Sequence, residues 1–174
     1  GRVISFFKNK NSAIKVIGIE PVKELRKVGY EQGISENDLI DGSGLGINFP
    51  DNSFDLVCEF GVLHHVKDNK KMVNEMLRVL KTNGHISIAL PCDNGFLWRM
   101  GRFLLKKTYH KIRGFSEVDF NYFIANEHIN TIFQLLSIFK KKFNLTSEIY
   151  LPFRLKVPDF NLIYICHIQK KNNI

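Results

Sequence analysis

Glu20 is the first residue of this chain whose type and placement suggest chemistry. It ends the short apolar run Val16-Ile17-Gly18-Ile19 and precedes Pro21. An acid at a strand tip can accept two hydrogen bonds from a ribose diol, and the same acid before a proline can instead cap a helix and favour its dipole. Both readings stay open. Gly42-Ser43-Gly44-Leu45-Gly46 is a second candidate: its glycines let backbone approach a ligand closely, or simply supply positive-φ loop positions. His64 and His65 follow the apolar run ending at Phe60-Gly61, where a base facing a substrate could take a proton from a hydroxyl or amine, or where the pair only shapes the turn. Downstream, Arg99, Arg102 and Lys106 are spaced to share one helical face and Leu97, Met100 and Leu104 another, with Trp98, Phe103 and Tyr109 adding aromatic bulk. His128, in Asn126-Glu127-His128-Ile129-Asn130, is expected to begin a helix and either to face the same pocket or to serve as a cap or surface group.

The elements that must position these groups follow from periodicity. Val3, Ile4, Phe6 and Phe7 have helix-like spacing at the start of the chain. Val16–Ile19 reads as a strand, and Pro21 occupies a first-turn position for a helix from Val22 to Gln32. Asp38–Asp41 predicts a second short strand, and Phe54–Phe60 a clearer one after the turn Pro50-Asp51-Asn52-Ser53. From Asn69, the residues Met72, Val73, Met76, Leu77 and Leu80 mark a helix that Asn83-Gly84 should end, before a strand over His85–Leu90. Phe96 to Gly114 carries no acid and reads as an inserted basic amphipathic helix. Ile129, Ile132, Phe133, Leu136 and Phe139 mark another helix, followed by two strands near Leu145–Leu151 and Asn161–Ile168, a pair that could be antiparallel. Gln169–Ile174 reads as a frayed end. Strands alternating with helices predict an α/β fold, a doubly wound and mostly parallel sheet whose ligand sites lie beyond the carboxyl ends of its strands.

Three ordered segments then become specific. Gly42 to Val57 (GSGLGINFPDNSFDLV), Leu63-His64-His65-Val66, and Glu75 to Gly84 (EMLRVLKTNG) resemble the run shared by the small-molecule, type 11-like branch of class I S-adenosylmethionine-dependent methyltransferases, with similarity from about Gly1 to Pro91. The resemblance implies a Rossmann-like seven-stranded sheet with S-adenosyl-L-methionine laid across the ends of its first, second and fourth strands. It implies that Gly1 is the last glycine of the cofactor loop, that Glu20 beside Pro21 holds the ribose, that Gly42-Ser43-Gly44 flanks the adenine, and that Phe60-Gly61 lines the methionine end. Ser43 stands where the family usually has Asp, so its hydroxyl accepts with less electrostatic benefit. The first strand and the body of the glycine loop are expected to precede Gly1, so the sequence is expected to be part of a longer protein and to bind cofactor poorly as written. In the family, the segment after the fifth strand commonly covers the acceptor, which makes 96–126 the acceptor-side insertion and Trp98, Arg99, Arg102 and His128 acceptor contacts.

Length and composition bound the rest. With 174 residues and hydrophobic types at 44%, one core and a single domain over 1–174 are expected. The net charge of +8 favours an anionic acceptor, such as a small molecule or a glycan- or lipid-linked intermediate, with peripheral membrane contact open. The basic residues cluster in one helix and a Lys run without an RNA-binding motif, which argues against nucleic acid. Cys58, Cys92 and Cys166 lack metal-ligand spacing, so neither a metal site nor a disulfide framework is expected, and a cytoplasmic setting fits. No apolar run approaches a membrane-spanning length. The expected activity is methyl transfer. The alternatives are a catalytically silent relative serving as a scaffold and, lower, a nicotinamide-dependent oxidoreductase, which leaves Pro50–Val57 and Leu63–Val66 unaccounted for.

Overall fold

The computed structural model describes residues 2–113, 116, 118, 122, 126–143 and 145–170. They fall into two compact units, Gly1–Phe49 and Pro50–Ile174, each described by itself.

In the first unit, helix α1 (Arg2–Lys10) precedes strand β1 (Gly18–Ile19), helix α2 (Lys23–Glu31) and strand β2 (Leu39–Ile40). β1 and β2 pair in parallel, Gly18 opposite Leu39 and Ile19 opposite Ile40. Ile4, Ile34 and Leu39 form a small core, with Val16 and Tyr30 packed against it. Tyr30 also donates its hydroxyl to the Leu39 carbonyl at 2.9 Å, and Lys8 pairs with Asp38. The predicted strands are correct in place but shorter than expected. α2 starts at Lys23 with Val22 as its N-cap, so Pro21 stands just before the helix rather than in its first turn.

The second unit holds strand β3 (Phe54–Phe60), helix α3 (Asn69–Val79), strand β4 (Leu80–Pro91), helix α4 (Phe96–Arg113), helix α5 (Ile132–Lys142), strand β5 (Leu145–Leu151), a short 3-10 turn (Pro158–Phe160) and strand β6 (Ile163–Gln169). The sheet order is β3-β4-β6-β5. β3 and β4 are parallel, as the intervening α3 requires, and β6 is antiparallel to both β4 and β5. Ile86, Ile88 and Leu90 of β4 lie opposite Ile168, Cys166 and Tyr164 of β6, and all six are buried. Burying each large aliphatic side chain of this kind contributes about 1.5–3 kcal/mol. The buried faces of α3 (Met72, Val73, Met76, Val79) and α5 (Ile132, Leu135, Leu136, Phe139) complete the apolar interior. β3 is an edge strand and leaves Leu56 and Phe60 exposed.

Two helix boundaries differ from expectation. α3 ends at Val79, and Leu80 is already in β4, paired with Phe54. α5 begins only at Ile132, because Thr131 closes a capping box: its hydroxyl accepts from the Gln134 N–H while the Gln134 side chain accepts from the Thr131 N–H. His128 and Ile129 therefore lie in the preceding loop and do not begin the helix. Gly114, most of 115–125 and the tail 171–174 lie outside the described residues, as do the side chains of Lys106 and Tyr109. No helix among the described residues is long and apolar enough to cross a membrane.

Candidate active site

In the first unit the ends of β1 and β2 are tied together. Glu20 N–H donates to the Ile40 carbonyl at 3.1 Å, and Arg26 reaches both the Glu20 carbonyl (2.6 Å) and the Asp41 carboxylate (2.7 Å). Glu20 Oε1 accepts from the Val22 N–H at 3.0 Å, which closes the turn before α2, while the N-cap of α2 itself has no side-chain cap bond. Oε2 has no hydrogen-bond partner among the described residues and keeps its acceptor capacity for a ligand. Past β2, Ser43 carries a tight loop: Gly46 N–H donates to its carbonyl and Leu45 N–H to its hydroxyl oxygen at 3.2 Å. Glu20, Pro21, Asp41, Gly42, Ser43 and Gly44 thus gather at the carboxyl ends of adjacent strands. Gly1 lies outside the described residues.

In the second unit, the ends of β3 and β4 build a denser site. Gly61 has φ +68, a left-handed conformation that favours glycine, and donates its N–H to the Ala89 carbonyl at 2.8 Å. Glu59, 3% exposed, turns its Oε1 onto the N–H groups of Val62 and Leu63 and so folds the loop that carries the histidines. Burial raises its carboxyl to about 7, against the smaller lowering effect of those two backbone bonds. Its Oε2 has no partner among the described residues.

His64, His65 and His128 converge, with ring centroids 3.8–4.9 Å apart. Asn130 pins the two loops that bring them together. Its side-chain amide donates to the carbonyls of Leu63 (3.1 Å) and Val66 (2.7 Å), its backbone N–H donates to the His64 carbonyl (3.1 Å), and Asn69 donates to its Oδ1 (3.0 Å). Burial, reinforced by the neighbouring His65 and His128, pushes the His64 imidazole down to about 4, so it is neutral at physiological pH. His65 donates from Nδ1 to the Glu127 carbonyl at 2.6 Å, and His128 from Nδ1 to the buried Asp93 carboxylate. Arg102 holds the other Asp93 oxygen at 3.1 Å and also reaches Asn94 Oδ1 at 3.2 Å.

Asp93 and Asn94 occupy the turn beyond β4, and Gly95 completes it. A side chain at position 95 would meet the Pro158 and Cys92 carbonyls at 2.8 and 2.9 Å. α4 is anchored there: Phe96 N–H donates to Asp159 at 3.1 Å and the Trp98 indole N–H to the Leu162 carbonyl at 2.6 Å.

Of the sequence candidates in this unit, Phe60, Gly61, His64, His65, Arg102 and His128 meet at or beside the strand ends. Trp98 is committed to the α4 anchor, and Arg99 is exposed. Glu59, Asp93 and Asn130 were not singled out as site residues. The signal for Asp93 was its place two residues past a strand, in an Asp-Asn-Gly turn. Cysteine chemistry is not offered: burial lifts the Cys58 thiol to about 11 and those of Cys92 and Cys166 to about 12.

Residues 1–88, half of the chain, match the family described as a methyltransferase domain. An uncharacterized methyltransferase of Bacillus subtilis, YcgJ, is 36% identical over 78 residues, 42% of this chain and 30% of that protein. A demethylmenaquinone methyltransferase of Listeria monocytogenes is 38% identical over 77 residues, 41% of this chain and 32% of that protein. The chain therefore matches about a third of the length of these relatives. The crystal structure of an S-adenosylmethionine-dependent methyltransferase from Thermotoga maritima superposes with a TM-score of 0.60 at 18% identity, covering 97% of this chain and 78% of that one, which shows the α/β fold. S-adenosylmethionine is the cofactor that the family and this neighbour imply. A free acceptor oxygen on Glu20 at a strand end and the glycine-lined turn after β2 fit a nucleoside with a ribose diol. The chain belongs to the methyltransferase-domain family.

Proposed function

We propose that the protein transfers a methyl group from S-adenosylmethionine to an oxygen or nitrogen of a modest-sized, anionic acceptor, either a small molecule or a glycan- or lipid-linked intermediate. When bound, the cofactor supplies a methyl carbon made electrophilic by a positive sulfur. Within the first unit, Glu20 would hold the ribose hydroxyls and Gly42-Ser43-Gly44 the adenine edge. The observation that carries the reading is that His64 and His65, on the turn after β3 and inside the stretch that matches the family, meet His128 of the loop before α5. An acceptor hydroxyl or amine must lose a proton as it is methylated, and the cluster sets the neutral His64 imidazole beside His65 and His128, ring nitrogens that can favour that loss.

The acceptor class is supported by the surface around α4. Phe96 and Phe103 of α4 are exposed on the helix that also carries the exposed Arg99, and the exposed Phe160 ring lies 6.4 Å from that of Phe96, a mixture suited to an apolar group bearing negative charge. The same surface supports transient contact with an anionic bilayer. Three unpaired thiols suit a reducing, cytoplasmic compartment.

Incubation of the protein with methyl-labelled S-adenosylmethionine and fractionated cell extract tests the proposal. Label is expected in a small or lipid-extractable acidic product. Donor binding without label transfer to any fraction would instead favour a catalytically silent scaffold.

A further inference from the structure

We propose that His64, His65 and His128 form a three-nitrogen site for a divalent transition-metal ion of the Zn2+ class. Sequence spacing did not suggest it, because His128 is more than sixty residues from the other two. The fold closes that gap: the three ligand atoms lie within 4.8 Å of one another. A tetrahedral ion bound at about 2.0–2.1 Å places its ligands roughly 3.3 Å apart, so binding draws the rings together by up to about 1.5 Å.

The surroundings match what such ligands need. A metal-binding imidazole characteristically donates its other N–H to a carboxylate or carbonyl, which fixes the tautomer and raises ligand basicity. His128 donates from Nδ1 to Asp93, itself held by Arg102, and His65 donates from Nδ1 to the Glu127 carbonyl. Both rings therefore carry their lone pair on Nε2. His64 has a buried Nδ1 with no hydrogen-bond partner among the described residues, a group that is costly unless something bonds to it. The Asn130 bonds hold the two contributing loops in register, so the ligands are positioned in advance. Three imidazoles without a carboxylate ligand select the Zn2+, Cu2+ and Ni2+ end of the divalent series over Mg2+ or Ca2+.

Three protein ligands leave a fourth position open. A hydroxyl bound there would break its O–H bond more readily, the electron pair staying on the metal-bound oxygen and the proton passing to solvent. In this respect the inference rests on the methyl-transfer reading, but its test does not: cofactor affinity is read with S-adenosylhomocysteine, and metal binding with the ion alone.

The chelator-treated protein is titrated with Zn2+ against a chromophoric competitor, and with Co2+ by visible absorption. One ion per chain, sub-micromolar Zn2+ affinity and the d–d bands of tetrahedral cobalt are expected. His128→Gln and His65→Gln should each weaken binding at least tenfold and remove the bands, and Asp93→Asn should weaken it about 10-fold to 100-fold while keeping them. His167→Gln, on β6, should change neither. Should a ligand variant unfold, the rise in thermal midpoint that Zn2+ gives the wild-type protein is still expected and serves as the readout. Failure of the wild-type protein to bind Zn2+, or binding that survives replacement of all three histidines, would overturn the site.

Discussion

His128 donates a hydrogen bond from Nδ1 to the carboxylate of Asp93, whose side chain is only 4% exposed. The contact spans 35 residues of sequence and joins the turn after β4 to the loop before α5. It fixes the tautomer of His128 and presents Nε2 to the other two rings.

Asp93 also balances Arg102, so its removal strands two groups at once. Asp93→Ala is expected to destabilise the protein by about 3 kcal/mol, because breaking a buried pair leaves an uncompensated charge. Urea denaturation measures it. A change under about 0.5 kcal/mol would mean that water already satisfies Arg102 and His128.

Glu59 gives a pH signature. Its carboxyl ionises near 4.5 when unfolded and about 7 when folded, so between those values the folded state holds the extra proton. The stability it contributes is present below pH 4.5 and is lost as pH rises through 7, by roughly 3 kcal/mol. Glu59→Gln cannot titrate, yet its amide oxygen can still accept from Val62 and Leu63. Its stability relative to wild type should therefore improve by about that amount from pH 4.5 to above 7, as denaturation across the pH series would read. A pH-independent difference between the two proteins would contradict the burial argument.

Gly61 tests the turn that carries the histidines. An added Cβ would meet only His64 Cε1 at 3.6 Å, an ordinary contact, so the cost of Gly61→Ala lies in the backbone at φ +68. About 1–2 kcal/mol is expected. Gly61→Asn should cost less, since asparagine tolerates this region. Equal thermal midpoints for the glycine and alanine proteins would contradict the assignment.

How far the sequence could be read follows from which forces are local. β3 was found at its true bounds because an apolar run lay between a Pro-Asp-Asn-Ser turn and a glycine. Leu80 was misplaced because it continues the helical spacing of Met72 and Met76, while its pairing with Phe54 is a long-range fact. Asn83-Gly84, read as the end of the helix, instead lies where the β3–β4 register shifts between Phe54 opposite Leu80 and Leu56 opposite His85, with Asn83 at φ +64. The capping box at Thr131 and Gln134 was present in the sequence and passed over, which displaced the start of α5 and the place of His128. The position of Glu20, Gly42 and Gly61 just past strand ends was legible because the apolar runs before them are local patterns. The union of His64, His65, His128 and Asp93 was not, because no local pattern encodes a contact made by tertiary packing.

In the proposed reading, a nucleoside cofactor is held through the Glu20 carboxylate. Calorimetric titration with S-adenosylhomocysteine tests it most directly. Saturable binding by the complete protein is expected, with at least tenfold weaker binding by its Glu20→Ala variant, consistent with loss of one or two charge-assisted hydrogen bonds, and no binding of NAD. Undiminished affinity in Glu20→Ala, or no affinity for S-adenosylhomocysteine at all, would contradict it.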